Sequence, residues 1–223
     1  MAEVTRTLDQ AIDKLNALYN GSSTPPAEGE EDYTVWTDLL NIGVNIWEFE
    51  DGYIRWIQLF QELADAADGD KTTDGTNSYT LPTDFRYANS AYVWIGTGTN
   101  KTAYKVIDIR KKQLYENDKG NWCYFTPTTL EFNPNLTLDT GSTISYNYYK
   151  KATALTTGTD EFEMADPLFA VYYALAELKK EEGDVTALNI ATQKLDFMQN
   201  ANEQVADQMD NQLINPVGDG FGT

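Results

Sequence analysis

The chain has no histidine, a single cysteine, and fewer than half as many basic as acidic side chains, 16 against 35. The missing histidine removes the commonest general base, the usual catalytic triads and most transition-metal sites. An enzyme built on this sequence would have to work with carboxylates, lysine or tyrosine. The lone Cys123 excludes an intrachain disulfide and any cysteine-based zinc site, and fits folding in a reducing compartment. Long hydrophobic runs are missing too. The nearest to membrane length, residues 35–63, is broken by Asp38, Glu48, Glu50, Asp51, Arg55 and Glu62, so no membrane span is expected. The opening MAEVTRTLDQ has neither the basic region nor the apolar core of a signal peptide. A net charge of −19 provides no basic footprint for wrapping nucleic acid tightly, although it leaves room for nucleic acid passing close by.

What is present is unevenly placed. Residues 1–75 carry 16 acidic and 4 basic side chains, 76–152 carry 6 and 9, and 153–223 carry 13 and 3. The hydrophobic pattern changes at the same boundaries, from helical to strand-like and back. With 223 residues and 41% hydrophobic content, the chain can bury one good core or two small ones.

In the first block, Thr7 and Gln10 have capping-box spacing ahead of Leu8, Ile12, Leu15 and Tyr19, which would share one face of a helix over 7–20. The polar stretch GSSTPPAEGEED (21–32) is an exposed loop. Val35, Leu39, Ile42, Ile46, Phe49, Tyr53, Trp56, Phe60, Leu63 and Ala67 then follow an unbroken 4-3 alternation, widened by Trp36, Leu40, Trp47, Ile54 and Ile57. The spacing predicts one long helix, kinked or split near Asp51-Gly52, whose stripe needs cover from the same chain or from a neighbour.

After the linker 68–78, strands are predicted at 90–95, 102–109, 121–125, 129–132 and 142–149. Asn117-Asp118-Lys119-Gly120 reads as a hairpin turn between 113–116 and 121–125. Asp166-Pro167 opens a helix that stops at Gly183, and Asp184 caps another with the stripe Leu188, Ala191, Leu195, Met198, Asn202, Val205 and Met209. The predicted fold is α+β: N- and C-terminal helices form a helical bundle, with a central small antiparallel β-sandwich or barrel domain. The parts are 1–75, 76–152, 153–209 and an extended tail 210–223.

Catalytic and ligand motifs are weak. Gly96-Thr97-Gly98-Thr99-Asn100-Lys101-Thr102 lacks Walker spacing and leads into no helix, so it reads as a hairpin turn. The acidic runs 28–32 and 65–74 lack the ligand order of a calcium loop. Glu161, Glu163 and Asp166 precede a helix, where acids serve the helix dipole and cap. No cofactor and no metal is expected. Arg110-Lys111-Lys112 and Lys150-Lys151 are the basic clusters of the β region; they are solvated strand ends or contacts for DNA or an acidic partner. The aromatic-rich β region leaves a glycan-binding adhesin or fibre module as the alternative.

Two strings carry a resemblance. YTLPTDFR (79–86) introduces the β region, and ISYNYYKKATALTTGTDEFEMADPLFAVYYALAEL (144–178) leaves it. Their order resembles that of the tailed-bacteriophage head–tail connector (adaptor, or head completion) proteins. The resemblance implies a non-enzymatic structural protein of the virion neck, assembled in the bacterial host cytoplasm. It implies a homo-oligomeric ring, commonly of twelve copies, beneath the portal protein, seating the tail or a second ring and passing double-stranded DNA without reading its sequence. It also implies a C-terminal segment that engages the portal, here with Leu213, Ile214, Pro216, Val217 and Phe221 as anchors. An acidic lumen would repel phosphate and keep DNA sliding; Glu48, Glu50, Asp51, Glu177, Glu181 and Glu182 are the expected lining.

Overall fold

Helix α1 (Leu8–Tyr19) begins as its sequence predicts. The Thr7 hydroxyl accepts the Gln10 N–H at 3.4 Å, and the Gln10 side-chain oxygen accepts the Thr7 N–H at 3.2 Å. That reciprocal cap satisfies donors a helix start leaves open. The N–H groups of Leu8 and Asp9 donate instead to the carbonyls of Asp160 and Gly158, on the strap that follows the β region. The computed structural model describes residues 6–21, 24–49, 56–63, 72–183 and 185–214, with side chains as far as 205. The fold is α+β, and the chain divides into two units: Met1–Leu59 with Ala152–Thr223, and Phe60–Lys151.

In the helical unit, α2 (Glu31–Phe49), α3 (Leu168–Leu178) and α4 (Thr186–Ile214) join α1, and α3 is the common partner on which the other three pack. Its composition suits that place: Phe169, Ala170, Val171, Ala174, Leu175 and Ala176 are buried. Small residues allow close approach. A Cβ added at Gly43 of α2 would stand 3.0 Å from the Ala170 Cα. Asp166 joins α3 to α4: one carboxylate oxygen accepts the Leu168 N–H at 3.1 Å and the other accepts Lys194 Nζ at 2.7 Å. The strap 152–165 is tied to α2 by Asn41, whose side chain both donates to and accepts from the Leu155 backbone, at 2.9 and 2.8 Å. Within the strap, N–H and hydroxyl groups of Thr156 and Thr157 converge on the Asp160 carboxylate and hold its pKa far below the usual carboxylate range.

The predicted long helix over 35–67 is not what forms. Helix α2 ends at Phe49, Ile57–Leu59 make a short 3-10 turn, and Phe60–Leu63 is a strand, β1. Strand β1 pairs antiparallel with Tyr146–Tyr149, so its backbone hydrogen bonds are made across a sheet. The 4-3 spacing continued through two elements that bury their apolar residues in different units. Tyr53 and Ala67 lie outside the described residues. The phase is also displaced: α2 buries Tyr33, Trp36, Leu40, Val44 and Trp47, of which Trp36, Leu40 and Trp47 only widen the stripe in the sequence pattern.

At the other end, α4 runs through Leu213 and Ile214, so 210–214 is helix rather than extended tail. Nothing in Asp-Asn-Gln-Leu-Ile interrupts a helix, and the first proline stands only at 216. The α3 side matches its stop signal, with a 3-10 turn Lys180–Glu182 closed by Gly183 at φ +72°.

The other unit is a single curled mixed sheet rather than an antiparallel sandwich. Its further strands are β2 (Ser78–Thr80), β3 (Phe85–Ala88), β4 (Tyr92–Thr97), β5 (Asn100–Val106), β6 (Trp122–Phe125), β7 (Thr129–Phe132) and β8 (Ile144–Lys150). The order is β1-β8-β4-β5-β6-β7-β2, with β3 also on β8. Strands β5 and β6 are parallel, Lys105 facing Trp122 and Val106 facing Cys123. The expected hairpin around Asn117–Gly120 is therefore absent. Residues Ile109–Tyr115 form a 3-10 crossover, because Asp108 caps its start by accepting the Arg110 N–H. The chain is thereby carried over to begin β6 in the same direction as β5.

Cys123 lies at the centre of the sheet core, beside Val93, Tyr104, Leu130 and Phe132, with burial pushing its thiol up to about 12. The thiolate is the reactive form, so the native protein should leave a thiol reagent unreacted at pH 8 while the denatured chain reacts fully. Absorbance of the released thiolate chromophore measures this; rapid labelling of the native form would contradict the assignment.

Candidate interaction surfaces

Helix α2 is apolar on two sides. Its inner side carries Trp36, Leu40 and Trp47. Its outer side carries Val35, Ile42 and Phe49, which are 45%, 44% and 70% exposed, with Leu39 and Ile46 half-buried between them. Asp38 is exposed on the same face, between Val35 and Ile42, and Glu31 lies one turn before Val35. No lysine or arginine occurs in the helix. Large side chains at successive turns make a contiguous apolar strip, and such strips mark contact surfaces far more often than single exposed residues do. The sequence contained this strip, but its periodicity could not say which side of a doubly apolar helix faces the core.

A second surface lies on the β5–β6 crossover. Leu114 is 80% exposed, and Ile109 is also exposed. Neither owes its position to a slack loop. Asp108 clamps Arg110 through its guanidinium at 2.6 Å, and the contact draws the Asp108 carboxyl down to about 2. Lys112 Nζ donates to the Tyr124 hydroxyl at 2.8 Å, Tyr115 packs on Trp122, and the Glu116 carbonyl accepts from Asn135. Half-buried Lys112 and Tyr115 hold the segment to the sheet, and Ile109, Arg110, Lys111, Gln113 and Leu114 are exposed. The basic run was visible in the sequence; the exposed leucine within it was not singled out, because its exposure follows from the crossover geometry.

The residues expected to line a channel are placed differently from one another. Glu48 is buried, 4% exposed, and accepts the Ala152 N–H at 3.1 Å. Its carboxylate thus anchors the start of the strap and faces no solvent. Glu177 is half-buried and ion-paired with Lys180 at 3.2 Å, while Glu181 and Glu182 are exposed on the α3–α4 turn. Glu50 and Asp51 lie outside the described residues. Of the expected anchors, Leu213 and Ile214 are in the last turn of α4, and Pro216, Val217 and Phe221 lie outside the described residues.

The candidate carboxylate site does not assemble as a pair of free acids. Asp166 is engaged by Leu168 and Lys194, Glu163 accepts from the N–H and hydroxyl of Thr153, and Glu161 pairs through its backbone with Thr7. The Gly96–Thr102 string is the β4–β5 hairpin, Thr97 facing Asn100. Among the described residues no cluster of three acids or cysteine could hold a metal ion, and no helix is long and apolar enough to cross a membrane. Within the sheet unit an open cleft of about 420 Å³ is lined by Glu62, Ser90, Trp94, Lys101 and Asn147 among others.

The sequence model of the SU10 adaptor protein family matches residues 6–217, nearly the whole chain. That family comprises phage head–tail adaptors, structural proteins of the virion that join other head and tail proteins. No curated protein matches the chain.

Proposed function

Because the chain belongs to the SU10 adaptor protein family, we propose that it forms a ring beneath the portal protein. Copies of the chain, twelve in the proposed ring, join capsid to tail and leave a conduit for DNA during packaging and ejection. The observation that carries this reading is the outer face of α2. Val35 and Ile42 are nearly half exposed, and burying such a side chain fully is worth about 1.5–3 kcal/mol. A second copy in a closed ring provides that burial around the whole assembly.

Charge supports the conduit. Residues 1–59 and 152–223 together hold 24 acidic and 6 basic side chains, so the helical unit carries nearly all of the net charge. Acid on a lumen wall repels phosphate and keeps DNA from adhering. Glu181 and Glu182, exposed between α3 and α4, are the proposed lining, joined by Glu177, Glu50 and Asp51. Leu213 and Ile214, at the end of α4, with Pro216, Val217 and Phe221 beyond it, are proposed to engage the portal. The tail, or a second ring, would take the other side.

The test is negative-stain microscopy and sedimentation of the purified chain, alone and with its portal. The wild type is expected to form rings. The double variant Val35→Asp/Ile42→Asp should raise the concentration for half-assembly at least about 100-fold, from roughly 1.4 kcal/mol lost at each position. Its circular dichroism should stay native. A wild type that stays monomeric in both conditions would refute the ring.

A further inference from the structure

The ring reading leaves open what one copy sets against the outer face of α2 in the next. Two helical units meeting directly would bring together units that each hold 24 acidic against 6 basic residues. That contact is repulsive before any apolar area is buried. The sheet unit is different: residues 60–151 hold 11 acidic and 10 basic side chains, nearly balanced. Its base is concentrated where Ile109 and Leu114 are exposed, with Arg110, Lys111 and Lys112 in the same crossover.

We propose that the Ile109–Tyr115 crossover of one copy docks on the outer face of α2 in the next copy, Leu114 packing among Val35, Leu39 and Ile42 and Lys111 meeting Asp38. This rests on the ring reading and names the two surfaces that close it. The chemistry matches on both counts. The α2 face is apolar, edged by Glu31 and Asp38, and lacks any base. The crossover presents an exposed leucine and isoleucine beside a lysine. All three cations are at least partly exposed, but Arg110 is already paired with Asp108 and Lys112 with Tyr124, which leaves Lys111 as the exposed crossover cation available to a partner. The two surfaces are unlike each other, and unlike surfaces make a heterologous contact, which propagates from copy to copy and gives a ring where the rotation between copies closes. The crossover is also fixed in advance by its cap, its ion pair and the Tyr115–Trp122 contact. Docking therefore orders little that was loose, which favours affinity.

A charge swap tests the pairing. Lys111→Glu and Asp38→Lys are made separately and together in the full chain, and assembly is followed by sedimentation and microscopy with and without the portal. Each single variant should raise the half-assembly concentration about tenfold by setting like charges together, and the double variant should return to within about threefold of wild type. High salt should shrink the differences between the variants. Leu114→Ser should weaken assembly in low and high salt alike, a readout that does not depend on charge. Single variants with no effect, or a double variant no better than the worse single, would overturn the pairing. So would intact rings whose variants lose only portal binding, an outcome that assigns the crossover to the portal. If wild type forms no ring under any of these conditions, the ring reading fails, and the pairing with it. If it forms rings that ignore the swap, only the pairing fails.

Discussion

Replacing Trp47 with alanine is expected to lower the stability of the helical unit by about 3–5 kcal/mol, whereas Ile42→Ala, five residues earlier on the same helix, should cost less than about 1 kcal/mol in the monomer. The two side chains are similar in kind but opposite in setting. Trp47 is fully buried, and its ring stacks on that of Trp56 at 5.3 Å. Trp56 Nε1 donates to the Trp47 carbonyl at 2.6 Å, a bond to the backbone that truncation spares. The loss should come from packing alone: the transfer energy of an indole, its stacking partner and an unfilled space. Ile42 loses little in the monomer because nearly half of it is already in water. Urea denaturation at low protein concentration measures both. Equal losses would mean that the outer face of α2 is covered within the chain and needs no neighbouring copy.

In the sheet unit, Gly96→Val should cost more than about 3 kcal/mol, while Gly98→Ala, two residues away, should cost only about 1–2 kcal/mol. Both glycines have positive φ, +140° and +58°. They differ in what a side chain would meet. At Gly98 there is open space, so the cost is that of the backbone conformation. At Gly96 a Cβ would fall on the carbonyl oxygen of Asn100, within the β4–β5 ladder where Gly96 faces Lys101. The clash is with backbone, which a rotamer change cannot relieve, so the hairpin must open. Chemical denaturation followed by near-ultraviolet circular dichroism distinguishes the two variants. The contrast also assigns the glycine-rich string its physical purpose, which is to turn a hairpin.

Residues whose conformation is decided by near neighbours were legible from the sequence. The Thr7–Gln10 box, the Asp166 cap, the stop at Gly183 and the strand at 129–132 depend on side chains a few positions away, and each forms where its residues predicted, while the strand expected at 142–149 forms at 144–150. The α+β composition, the missing histidine chemistry and the adaptor resemblance needed nothing further. Choices between equivalent local options were set by tertiary structure. Helix α2 has two apolar sides, and tertiary packing selected Trp36, Leu40 and Trp47 as the inner one: the helix packs on α3, Trp36 meets Tyr19 and Trp47 stacks on Trp56. Phe60–Leu63 satisfies helical spacing and a strand alike, and pairing with Tyr146–Tyr149 resolved it. Glu48 reads as a solvated acid until the strap brings the Ala152 N–H to it. The parallel β5–β6 pair, and with it the outward Leu114, arises from a crossover whose direction no short window records. Local sequence sets backbone preference within a few residues; which face is buried, and which is left for a partner, depends on contacts more than 100 residues apart, such as Asn41 with Leu155.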